Sequence, residues 1–124
     1  MGLITFLKNF ILNSSETTVP QEHRIYIGSW KVTTVDMAFA EGKIPPEKMD
    51  EAMRDILEND TPAFVLNLDG NASIVRRRTK YRGSWSVENE EISIECPGNY
   101  LRLERIGDKL ATLPDRTFTF ERQA

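Results

Sequence analysis

From Ala63 to the end of the chain, apolar and polar residues alternate in short runs separated by turn-forming residues. Phe64, Leu66 and Leu68 alternate with Val65 and Asn67, and Asp69-Gly70-Asn71 then supplies a tight turn. Ala72–Arg77 returns. Lys80–Val87 follows, with Tyr81, Trp85 and Val87 on one face. Ile92, Ile94 and Cys96 alternate with Glu91, Ser93 and Glu95, the clearest in–out pattern in the chain. Leu101 and Leu103 alternate with Arg102 and Glu104; Lys109–Leu113 and a last run with Phe118, Phe120 and Arg122 complete the series. A period of two is that of a strand with one buried face. Upstream, Arg24–Met37 is expected as one long first strand, with Trp30, Val32 and Thr34 facing one way and Lys31 and Thr33 the other.

Two stretches break this period. After Pro45-Pro46, residues Met49, Ala52, Met53, Ile56 and Leu57 fall on one face of a helix that ends before Pro62. Near the start, Leu3, Phe6, Leu7 and Phe10 lie at helical spacing, widened by Ile4 and Ile11, so an amphipathic helix of about three turns is predicted. Alone it is marginal and needs something to dock on. Residues Asn13–Gln21 read as a polar linker. The expected organisation is an N-terminal helix with linker over residues 1–21 and a β domain over residues 22–124.

Eight strands result, the last seven joined by hairpin-length turns. A meander with one apolar face must hide that face and manage two edges, and closing into a barrel does both. The fold class expected is therefore all-β, an eight-stranded antiparallel up-and-down barrel with one helix inserted between strands 1 and 2. A β-sandwich is the rival, but it usually needs a Greek-key connection that turns this short leave little room for.

Composition narrows the function classes. The 124 residues are 40% hydrophobic and 28% charged, as in a soluble globular domain able to bury a core without staples. The net charge of −3 argues against a dedicated nucleic-acid binder. Cys96 is the single cysteine and His23 the single histidine, so no internal disulfide and no common zinc or iron–sulfur set is expected. Met1–Leu12 is interrupted by Lys8 and lacks a cleavage site, and Phe6 stands where a myristoylation pattern wants Ser or Thr. The Asn-x-Ser/Thr triplets at Asn13, Asn59 and Asn71 then read as chance, and a cytoplasmic protein is expected.

Gly28-Ser29-Trp30-Lys31-Val32 resembles the Gly-x-Trp opening of lipocalins and other calycins. Gly83-Ser84-Trp85-Ser86-Val87 resembles the mid-barrel Gly-Thr-Trp strand of small bacterial lipocalin-like domains. Leu68-Asp69-Gly70 looks like their strand-two turn, and Phe118-Thr119-Phe120-Glu121-Arg122 like their closing strand. The resemblance spans roughly residues 27–122. It departs from transport lipocalins in having no disulfide, shorter strands and the inserted helix. It implies an eight-stranded barrel without enzyme activity, with Gly28, Trp30, Gly83 and Arg122 as structural residues. It also implies that Arg122 lies across the Trp30 indole, a cation–π contact worth about 0.5–2 kcal/mol.

The sharpest chemistry is the run Arg76, Arg77, Arg78, Lys80 and Arg82, with Tyr81 inside it. It reads as an anion patch, or more plainly as a solvated hairpin balanced by Glu88, Glu90, Glu91 and Glu95. Alternation sends one of Arg76 and Arg77 inward, where it would suit a ligand carboxylate; which one depends on how the Asp69-Gly70 turn closes. Met49 and Met53 suit either an adaptable lid or plain core. The expected ligand-contacting set is Arg76, Arg77, Tyr81, Trp85, Met49, Met53, Phe118 and Phe120. Cys96 reads as a buried thiol, His23 lacks partners for a general base, and carboxylates are scattered, so no catalytic residue, metal or cofactor is expected.

Two functions follow. The first is a non-enzymatic barrel binding a small apolar or amphipathic, carboxylate-bearing molecule. The second is a protein-interaction or inhibitor module with a filled barrel, acting through its rim or N-terminal helix, to a second copy or another protein. Membrane-surface attachment ranks below both, since Lys8 alone gives little pull toward anionic lipid.

Overall fold

The computed structural model describes residues 19–123. Eight strands close into one antiparallel barrel, each paired with its neighbour in sequence and the last with the first. They are β1 Gly28–Val35, β2 Ala63–Leu66, β3 Asn71–Arg76, β4 Thr79–Glu88, β5 Glu91–Cys96, β6 Asn99–Ile106, β7 Lys109–Thr112 and β8 Phe118–Arg122. The β1–β8 pairing, with Trp30 opposite Arg122 and Val32 opposite Phe120, is what a sandwich would lack. The predicted N-terminal helix falls outside the described residues.

The first strand is shorter than Arg24–Met37. Residues Gln21–Tyr26 form a 3₁₀ helix instead, and Gly28 (φ +135°) turns the chain into the sheet. The cause is a set of bonds the pattern does not reveal. The Trp30 indole donates to the Tyr26 carbonyl at 2.9 Å, and Arg122 donates to the carbonyls of Ile25 and Ile27, which holds the preceding turn wound under the barrel. Thr34 also faces out rather than in. The β1–β8 register shifts between Val32 and Thr34, so Val35 takes the inward position.

The other faces follow the alternation. Phe64, Leu66, Ile74, Ile92, Ile94, Leu103, Leu110 and Phe120 are each under 2% exposed and fill the interior. Leu68 falls beyond its strand and is exposed. An aromatic column runs through the middle. Trp30 stacks on Phe64 (6.1 Å between centroids), Phe64 meets Phe120 edge-on (4.8 Å), and Phe120 meets Phe118 (6.4 Å). Eight strands enclose a space that side chains can fill, and here bulky ones occupy it.

The insertion between β1 and β2 begins with a 3₁₀ turn, Met37–Ala40. The predicted helix appears as α1, Met49–Asp55, which passes directly into a π turn, Ile56–Asp60, ending at Thr61 in the left-handed region (φ 44°). Met53, Ile56 and Leu57 pack half-buried against the core. The insertion lies over the barrel end where β1 and β3 finish; the 3₁₀ helix and Trp30 lie at the other end.

Candidate functional site

Arg76 settles the question of which arginine faces in. It shares the inner face of β3 with Ala72 and Ile74, at the helix-covered mouth. Its guanidinium lies 5.7 Å from the centroid of the Phe118 ring and extends the aromatic column. Arg122 does the same over Trp30 at the opposite end, at 4.5 Å. The column is thus capped by an arginine at each end.

Arg76 is already paired. Its Nε donates to Asp60 Oδ1 at 2.8 Å and its Nη2 to Oδ2 at 2.6 Å, a two-pronged bond to a carboxylate whose side chain is only 6% exposed. The backbone N–H of Arg77 donates to the Asp60 carbonyl (2.9 Å) and to Oδ1 (3.2 Å). Chiefly through the Arg76 hydrogen bonds, the Asp60 carboxyl is held below its ordinary range, and the Arg76 guanidinium is held above its own. Arg77 faces out and bonds Asp55 at 2.8 Å, while Asn59 donates to the same carboxylate. Both arginines therefore tie the inserted helix to the β3–β4 turn, in which Arg77 and Arg78 both take positive φ.

This arrangement corrects the expected charge balance. Asp60 and Asp55 answer Arg76 and Arg77, whereas Glu91 pairs with Arg102. Arg78, Lys80 and Arg82 form no ion pair among the described residues. Sequence reading missed Asp60, because an Asp in Asn59-Asp60-Thr61-Pro62 looks like a solvated turn residue. The one available hint was its place directly after the helical stripe.

The expected ligand set does not assemble. Arg76, Tyr81 and Phe118 share the helix-covered mouth, and Met53 packs on the core beneath the helix. Phe120 is sealed inside the barrel. Trp85 lies toward the opposite end, where its indole donates to the Asn67 carbonyl at 2.9 Å. Met49 lines an external depression with Glu41–Pro46, and Arg77 belongs to the outer turn. Cys96 is buried, its Sγ 3.4 Å from the Tyr81 carbonyl, and burial pushes the thiol up from its ordinary range. No group of three or more His, Cys, Asp or Glu among the described residues is placed to hold a metal.

Four open depressions lie on the insertion and at the Trp30 end of the barrel. Two, of about 450 and 540 Å³, share Ile44 on the insertion, which also carries the exposed Phe39. One of about 220 Å³ lies under Trp30 and Arg122, and one of about 300 Å³ beside Trp85.

Comparison with known proteins speaks to the fold. No protein-family model matches the chain, and no curated protein matches it. Its structure is similar to the crystal structure of a DUF4847 family protein from Bacteroides vulgatus ATCC 8482. That similarity has a TM-score of 0.53 at 12% sequence identity and covers 85% of this chain and all of that one. At such identity it supports the barrel and leaves the activity open. Among the described residues no helix is long and apolar enough to cross a membrane.

Proposed function

We propose that this chain is a non-enzymatic, lipocalin-like interaction module that works through its outer surface rather than as a carrier with a hollow interior. One observation carries the reading: the aromatic column Trp30–Phe64–Phe120–Phe118 occupies the barrel axis between Arg122 and Arg76. A ligand pocket needs a few hundred Å³ of concave space, and the interior positions are taken by side chains under 2% exposed. The helix-bearing rim, with Phe39, Ile44 and Met49, presents apolar side chains to a protein partner. The calycin assignment rests on the Gly28–Trp30–Arg122 geometry, and a cytoplasmic location remains part of the same proposal.

A second reading is favoured by the Arg76–Asp60 pair. There the inserted helix is a lid, and an amphipathic acid displaces Asp60 from Arg76. One experiment separates the two: native mass spectrometry of untreated protein, with a tryptophan-fluorescence titration by medium-chain fatty acids. The interaction reading expects no co-purified mass and no saturable response. A saturable response lost in Arg76→Ala would overturn it in favour of the lid.

A further inference from the structure

Closing a sheet removes its edges except where one strand outruns its neighbour. β4 does so. Its 10 residues pair with β3 over Thr79–Ser84 but with β5 only over Ser84–Glu88. Continuing that register would bring Pro97 opposite Arg82, and proline has no N–H to give the Arg82 carbonyl. Past Ser84 the backbone of Glu95 and Cys96 lies instead on the inner side of Gly83, where a side chain would stand.

Which backbone groups this leaves open follows from the alternation of the ladder. The Asn67 N–H donates to the Asn71 carbonyl and the Trp85 N–H to the Gly70 carbonyl. Asn71, Ser73 and Val75 therefore turn their peptide groups toward β2, and Ala72, Ile74 and Arg76 turn theirs toward β4. On β4, Thr79, Tyr81 and Gly83 bond back to β3. The N–H and C=O of Lys80 and Arg82 point the other way, to the side that β5 has left.

The side chains of this edge are cationic and uncompensated. Lys80 and Arg82 are exposed on the outer face, Arg78 is exposed in the turn, and none of the three forms an ion pair among the described residues. Beside Lys80 and Arg82 stand Val75 and Ser73 of β3, and beyond these Ala63 and Val65 of β2. A second copy paired here edge to edge would set Lys80 and Arg82 against the same two cations, which like-charge repulsion opposes. An acidic strand meets no such repulsion. Alternate residues of a strand lie about 7 Å apart on one face, so carboxylates at every second position match Lys80 and Arg82 in both period and sign.

We propose that the open edge of β4 at Lys80 and Arg82 accepts an extended peptide as an added strand, and that the peptide carries acidic residues at alternate positions. Its main chain pairs with the two free N–H and C=O sets, and its carboxylates lie beside the two cations. The inference goes beyond the rim of the inserted helix, since Phe39, Ile44 and Met49 take no part in it.

The test is NMR on the full chain. In the free protein the Lys80 and Arg82 amides should exchange rapidly with solvent, and those of Tyr81 and Gly83 slowly. Slow exchange at Lys80 and Arg82 means that the edge is already covered and overturns the proposal. An acetylated peptide of alternating Glu and Val is then titrated in. It should shift the Lys80 and Arg82 amides saturably, slow their exchange, and leave Ile92 and Leu103 in place. Lys80→Glu with Arg82→Glu, both outward-facing, should weaken binding by about tenfold or more, because attraction becomes repulsion at two cross-strand pairs. N-methylation of the peptide's Glu residues, which removes the N–H groups facing β4, should abolish binding. The absence of a saturable shift overturns the proposal. So does equal binding of the N-methylated peptide, which means attraction by charge alone. Tighter binding of an oligothymidylate at the same amides also overturns it and makes the edge a nucleic-acid site. Loss of peptide binding in Phe39→Ala overturns it by moving the peptide to the rim.

Discussion

Replacing Asp60 by Asn keeps the shape of the side chain and removes its charge. In the wild-type chain that charge faces Arg76 through two hydrogen bonds and the Arg77 N–H through a third. Removing one partner of a fully buried ion pair costs about 3–5 kcal/mol, because a charge is left without a partner out of water. Here the Arg76 side chain is 38% exposed, so water recovers part of that loss. A charge-assisted hydrogen bond is worth about 1.5–3 kcal/mol, and Asn retains a weaker one. The expected loss is therefore about 2 kcal/mol, or about 8 °C in melting temperature for a domain of this size.

The pH dependence has a definite sign. The folded state holds the Asp60 carboxyl below its ordinary value of about 3.9, so the unfolded chain binds the proton first on acidification. The stabilisation is complete above about pH 5 and is lost as pH falls through the folded value. Urea unfolding of wild type and Asp60→Asn at pH 7, 5, 4 and 3 should show a constant gap down to pH 5 that narrows below pH 4. Hydrogen exchange should place the change in the Thr61 and Arg77 amides, which bond Ile56 and Asp60, and not in β5. Equal stability at pH 7, or a gap that does not move with pH, would refute the claim that this pair fastens the helix.

Three further outcomes test the packing. Trp30→Ala should cost about 3–5 kcal/mol while Lys31→Ala stays within about 0.5, as read by chemical denaturation, since Trp30 is 3% exposed and its neighbour faces water. Gly83→Ala should abolish or severely weaken folding, because a Cβ there would lie 1.8 Å from the Glu95 carbonyl oxygen. Gly98→Ala, strained only by its φ of +82° with open space around it, should cost about 1–2 kcal/mol in the same circular-dichroism melts. Cys96 should resist a maleimide in the native protein and react fully in denaturant, because the thiol is buried and held neutral; rapid native labelling would contradict its place on the inner face.

The strands were legible where a single rule governed them. Ile92, Ile94 and Cys96 are inward because alternation on a sheet with one wet face leaves them no other choice, and the structure places all three in the core. The rule failed where a distant side chain competes with it. Residues 24–27 have a strand-like composition, yet Arg122 and Trp30 claim their carbonyls and wind them into a 3₁₀ turn. Thr34 was misassigned for a similar reason, since a bulge opposite β8 adds a residue that no local pattern announces. The glycines were partly legible. Gly83 could be recognised as special beside Trp85, but its cause, the backbone of β5 pressed against it, depends on register.

The basic run shows why sites are harder to read than strands. Five cations in seven positions look like one feature, and the fold divides them by direction. Arg76 turns inward to Asp60 and Phe118, Arg77 turns outward to Asp55, and Arg78, Lys80 and Arg82 remain free of ion pairs among the described residues. The partners come from a helix 16 to 22 residues upstream, a separation that no charge-pattern rule covers. The paired arginines also account for the helix. Among the described residues α1 contributes no fully buried side chain, so its half-buried apolar face needs a second fastening to hold it over the mouth. The two ion pairs supply that fastening, one at the last residue of α1 and one at the last residue of the π turn. Charge that suggests recognition in the sequence is therefore spent, for Arg76 and Arg77, on closing the barrel.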